Sequence, residues 1–387
     1  MSTRSAAIDP PAAPPAPATA RRHAGLDALR ACMTVLVVFH HSAISYGAIG
    51  GWYYQETAPG HTPGSEILTL FCAINQAYFM GLFFFLAGYF TTGSLDRKGA
   101  ARFLADRLLR LGLPLLVYGT LIGPATIALA QTTHGRGFTS TLVHQWRQAR
   151  FETGPMWFAE ALLLFSAAAA LVHAACARSR RDETRDASRG RLPSDAMLAL
   201  AAAVTGAAAL ALRSRWPVGV DVWGLQLGYF ASYVVLYVGG HHAARLRWIE
   251  RVPQRQVRRW WRVTLFVLPM LPLVYLLGAA FPVLRKGPLA VLYAFWEPLV
   301  AWGAILFLVT RFEQRFDRLA GFWRPLSRRA YAIYVVHPPV LVAIVLAWRR
   351  VPAAPLLKFA VSGTLACLGC YLLAGLLLRS ARLASIL

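Results

Sequence analysis

Two residues in the stretch LDALRACMTVLVVFHHSAIS, Arg30 and His41, are of types and spacing that can do chemistry together. At about 100° per helical residue, eleven positions bring them to within roughly 20° of each other, on one face. His40 points roughly 80° away. At about 1.5 Å per residue His41 lies some 16 Å beyond Arg30, a depth that places it close to a bilayer midplane. A guanidinium near a membrane surface can hold an anion, and a neutral imidazole at depth can act as a base, since a neutral ring is far cheaper to bury than a charge. The plainer alternative is a histidine bonded to a neighbouring helix and a snorkelling arginine.

Further polar residues interrupt other apolar stretches, where each is a functional candidate by default. In FLADRLLRLGLPL, Arg107 and Arg110 are three apart and adjacent on a helix, able to grip a polyphosphate together; flanking charge at a membrane surface explains them equally well. GPMWFAEALLLF contributes Trp157, an interfacial anchor or a sugar platform, and Glu160, which needs a partner or a proton. Glu297 sits in YAFWEPLVAW. Either carboxylate can orient a histidine, bind an acceptor or serve a structural pair. In LSRRAYAIYVVHPPVLV, Tyr334 and His337 are neighbours, and Pro338–Pro339 should kink the helix and free backbone carbonyls. Asn75, Gln76 and Tyr78 are candidates to meet the His41 face, and Ala87–Gly88 allow close helix packing. The Cys367–Cys370 pair reads as small packing residues.

The elements that must position these groups are membrane helices. Of 387 residues, 57% are hydrophobic and 15% charged, against about a quarter charged in soluble domains. Apolar runs of spanning length recur near 28–48, 67–92, 111–131, 155–176, 196–212, 222–243, 263–282, 288–310, 329–348 and 355–378. Assigning alternate loops to opposite sides puts 29 of the 40 Lys and Arg on one side and nine on the other. The expected architecture is therefore an all-α polytopic membrane protein of about ten transmembrane helices with both termini cytoplasmic. The net charge of +23 falls in clusters between apolar runs, which argues against a nucleic-acid partner and for anionic lipid. The runs SRRDETRDASRGR and RVPQRQVRRWWR read as cytoplasmic loops. Residues 1–24, rich in Pro and Ala, read as a disordered cytoplasmic tail, leaving 25–387 as one membrane domain.

The ordered set of Arg-x10-His at Arg30/His41, Arg-x-x-Arg at Arg107/Arg110, and the phrases MGLFFFLAGYF, GPMWFAEALLLF and LSRRAYAIYVVHPP resembles the integral-membrane acyltransferase 3 family over residues 25 to about 350. The chain looks most like the stand-alone branch that includes glucan biosynthesis protein C, without the added esterase-like domain of some relatives. The resemblance implies acyl transfer from cytoplasmic acyl-CoA, as acetyl-CoA or succinyl-CoA, to a carbohydrate hydroxyl on the outer side. It implies no permanently bound cofactor and no metal, in the bacterial cytoplasmic (inner) membrane. It maps His41 onto the catalytic histidine, Arg30 onto its partner, and Arg107 and Arg110 onto donor handling. Around Glu160 the sequence departs from the W-S-L-S-V-E-E pattern of some relatives, and no family role carries over. Arg136, Arg147 and Arg150 in an outer loop can attract an anionic acceptor. The rival class is a multi-pass transporter or flippase with a proton-relaying histidine. Against it, no pair of broken helices recurs in matching halves.

Overall fold

The computed structural model describes residues 23–176, 190–284, 287–315 and 320–387. Most of the expected tail and most of the basic run after Cys176 lie outside these residues. The described elements, in order, are α1 (Ala24–Ser45), α2 (Pro63–Arg107), the short α3 (Leu113–Val117) and α4 (Gly123–Gln131), α5 (Phe138–Arg147) and α6 (Trp157–Ala175). They continue with α7 (Asp195–Arg215), α8 (Phe230–Arg245), α9 (Trp248–Arg251), α10 (Gln254–Val267), α11 (Met270–Ala280), α12 (Pro288–Arg315), α13 (Ala320–Trp348), α14 (Pro355–Leu377) and α15 (Ala381–Ile386). Among the described residues the only β pairings are two isolated bridges.

Among the described residues, eight helical stretches are long and apolar enough to cross a membrane. One of them, Pro63–His134, is 72 residues long and holds two of the expected segments. The expected 222–243 segment corresponds to α8, a helix of 16 residues. Burial sorts the helices in the way a bilayer would. α1, α12 and α13 are largely enclosed by neighbours, whereas α6, α7 and α14 turn residues such as Leu171, Leu200 and Leu372 outward. That apolar exterior is stable against lipid rather than water.

Close backbone approach holds the centre together. A Cβ on Gly88 of α2 would sit 2.0 Å from the Tyr237 carbonyl, and one on Gly240 of α8 would sit 1.9 Å from that of Phe85. Only hydrogen fits at this crossing, so the small pair at Ala87–Gly88 does what its sequence suggested. Beside it, the fully buried Phe84 is ringed by Phe158, Phe165 and Tyr233. A second core joins α1 to α13 and α14 through Val38, Ile44, Leu341, Val345 and Ala366.

Two departures from the expected layout have local causes. RVPQRQVRRWWR is helical rather than a loop from Gln254 onward. It buries Trp260, whose indole donates to Asp195 at 3.1 Å, and pairs Arg259 with the same carboxylate. Between Arg107 and Gly123 the helix widens into two π turns, Leu108–Gly112 and Tyr118–Ile122. Each ends two residues before a proline, Pro114 or Pro124, with Leu113 and Gly123 donating five residues back. The wider turn moves the carbonyl that a proline ring would otherwise strike.

Candidate active site

His41 lies one turn before the end of α1, nearer the helix end than its middle. His41 Nδ1 is 3.0 Å from Nε2 of His337 on α13, and the two rings stack at 5.1 Å. His337 Nδ1 is in turn 2.6 Å from the Tyr334 carbonyl. That carbonyl is free because the residue four places on, Pro338, has no N–H to give it.

This local defect fixes the protons. A carbonyl only accepts, so His337 Nδ1 carries hydrogen and its Nε2 is an acceptor. His41 Nδ1 must then donate to it. The lone pair of His41 is left on Nε2, the atom a general base needs. The free carbonyls expected from Pro338–Pro339 are therefore part of the site, although α13 continues as one helix across them.

A loop, residues 46–62, covers the pair. Trp52 lies face to face on His41 at 4.0 Å and 12°, and its indole nitrogen is buried without a partner. The next residue, Tyr53, bonds Tyr118 hydroxyl to hydroxyl at 2.9 Å and donates to Glu152 at 3.3 Å. Glu152 also accepts from the Gly154 N–H at 3.1 Å. Burial pushes the Glu152 carboxyl up, against the opposing pull of these two bonds. Tyr118 opens the second π turn, directly after α3. The Tyr334 hydroxyl donates to the Pro155 carbonyl, tying the start of α6 to the His337 turn.

The loop is fastened from the far end of the chain. Glu56 pairs with Lys358 of α14, a buried lysine that also donates to the Arg349 carbonyl at 3.2 Å. Tyr46 and Trp348 both bond the Ser362 hydroxyl, at 2.8 and 2.9 Å. Lys358, which hydropathy places inside a span, is thus a structural cation with a carboxylate partner.

At the other end of α1, Arg30 is partly exposed and bonds Asp27 at 3.2 Å. Arg107 lies within electrostatic reach of both Arg110 and Arg30, with its guanidinium 5.0 Å from the Phe103 ring centroid. The chain reaches this position through Gly99, whose φ of 72° breaks α2. Three cations from two elements therefore gather at one mouth.

The other candidates have different surroundings. Glu297 is buried against Arg213, whose guanidinium also lies 5.2 Å from the ring centroids of both Tyr229 and Tyr293. Arg213 belongs to the last turn of α7. Trp157 stacks on Tyr233 at 5.7 Å, and Gln76 donates to the same tyrosine at 3.2 Å rather than meeting His41. Glu160 Oε2 is buried without a partner among the described residues. His40 stacks on Phe79 at 4.9 Å, as a packing neighbour.

The fold and site define a class, an all-α polytopic membrane protein with a covered histidine pair and an arginine mouth. Residues 23–375 match the acyltransferase 3 family, described as an acyltransferase domain. The chain belongs to that family and is a membrane acyltransferase. No curated protein and no solved structure matches it.

Proposed function

We propose that the protein moves an acetyl or succinyl group from cytoplasmic acyl-CoA to a hydroxyl of an extracytoplasmic or membrane-associated glycan, in the bacterial inner membrane. The observation that supports this most is the ordered bond run from the Tyr334 carbonyl through His337 to His41. It leaves one unprotonated nitrogen on a covered imidazole.

Arg107, Arg110 and Arg30 hold the donor's phosphates at the mouth, where arginine forks suit phosphate oxygens. The pantetheine arm runs along the face that Arg30 shares with His41, about 16 Å away. His41 Nε2 takes the proton of the acceptor hydroxyl as the alkoxide forms its bond to the thioester carbonyl carbon. The tetrahedral intermediate then expels the CoA thiolate, which recovers that proton from the imidazolium. His337 does not touch the reacting atoms; it positions His41 and steadies the imidazolium through the Nδ1 bond.

The test uses radiolabelled acetyl-CoA or succinyl-CoA with the purified protein and glycan extracts. Label on a glycan with CoA released is the expected result. A folded His41→Ala protein should give none, and near-normal product from it refutes the role. Solute movement in proteoliposomes without acylation overturns the reading in favour of transport.

A further inference from the structure

An open cleft of about 610 Å³ is lined by Trp52, Tyr53, Tyr54, Gln55, Thr133, His134 and Arg349. Its size falls within the roughly 300–1,000 Å³ of small-molecule sites. Trp52 belongs to both places: one face lies on the His41 ring and the rest of the indole walls the cleft. Trp52 is thus the residue shared by the cleft and the imidazole.

The lining has a distinct chemistry. Three consecutive aromatics offer flat faces for the C–H side of a sugar ring, and Gln55 and Thr133 offer neutral hydrogen bonds. The single permanent charge is Arg349. Among the described residues no carboxylate pairs with Arg349. The nearest acid along the loop, Glu56, is already engaged by Lys358. An arginine left uncompensated beside aromatic platforms suits a sugar that bears a carboxylate or phosphate.

We infer that this cleft is the acceptor subsite and that Arg349 selects a carbohydrate carrying an anionic substituent. The inference rests on the acyltransferase reading above and adds the acceptor's charge.

The test titrates full-length protein in lipid nanodiscs with two tetrasaccharides, uncharged maltotetraose and anionic tetragalacturonic acid, by calorimetry. The anionic sugar should bind about tenfold more tightly, a difference of about 1.4 kcal/mol, and should weaken as salt rises. Arg349→Gln should erase the difference and Arg349→Lys should keep part of it, with thermal unfolding confirming that both variants fold. Equal binding of the two sugars, no binding of tetragalacturonic acid, or an unchanged preference in Arg349→Gln overturns the inference. Acyl transfer from labelled donor is followed in parallel. Transfer without charge preference removes the subsite and leaves the acyltransferase reading. Charge-selective binding without transfer to any glycan does the reverse.

Discussion

Replacing His337 with leucine removes two hydrogen bonds and leaves their partners in place. The His41 Nδ1–H loses its acceptor at 3.0 Å, and the Tyr334 carbonyl loses its donor at 2.6 Å. Pro338 supplies no N–H in exchange. Each stranded buried group costs about 1–3 kcal/mol, so the folded state should lose roughly 2–6 kcal/mol. The catalytic effect is separate. Without an acceptor at Nδ1 the productive tautomer of His41 is no longer held, and a comparable loss in a protease triad costs about 10,000-fold in kcat. We expect His337→Leu to lower kcat by roughly 100- to 10,000-fold with the donor KM little changed. His337→Gln, whose amide oxygen can accept from His41, should recover about tenfold or more of that loss. Acyl transfer is measured at saturating donor in nanodiscs, alongside thermal unfolding of each variant. A folded His337→Leu protein with kcat within about threefold of wild type, under 1 kcal/mol of barrier, refutes the proton assignment.

Three other expectations concern the surrounding charges. Arg107→Ala/Arg110→Ala should raise the donor Kd about tenfold or more and flatten its salt dependence; unchanged CoA binding would return the pair to a purely topological role. Glu297→Ala strands Arg213 in its aromatic box and should destabilise the fold by about 3–5 kcal/mol, whereas acyl transfer per folded molecule should hold; a kcat loss in folded protein would give Glu297 a part in the chemistry. Burial raises Glu152 above its unfolded value, so the folded state binds that proton more tightly and this group's contribution to stability falls as pH rises above about 4.3. Glu152→Gln keeps acceptors for Tyr53 and Gly154 and should flatten the stability profile between about pH 4 and 7, as read from unfolding midpoints; an unchanged slope would mean another group carries it.

Periodicity and hydropathy made the helices legible, because lipid forces each span to satisfy its backbone internally and to be apolar along its length. Gly88 was readable for the same reason, as a small residue in a long apolar run. The Tyr334–His337–Pro338 arrangement was half readable. Its spacing forecast the neighbours and the free carbonyl, but not that the freed oxygen would set the tautomer of a histidine 296 positions away. Trp52, Tyr53 and Glu152 were not singled out at all. They stand in polar connecting segments, where no period marks which side chain turns inward, and their partners lie on other elements. Arg213 was not legible as the partner of Glu297, because a basic residue at a helix end looks the same whether it faces headgroups or a buried glutamate.

The fastening of the 46–62 loop also has a consequence for biosynthesis. His41, the proposed base, sits on the first helix, its hydrogen-bond partner is at residue 337, and the cover over both is tied to Lys358 and Ser362. A ribosome makes the histidine about 300 residues before the parts that orient and shelter it. Until α13 is made the nascent chain has an imidazole with no settled proton, and until α14 is made its cover has no fastening. Acyl-transfer competence therefore requires synthesis through α14, and a product truncated before Lys358 inserts without it.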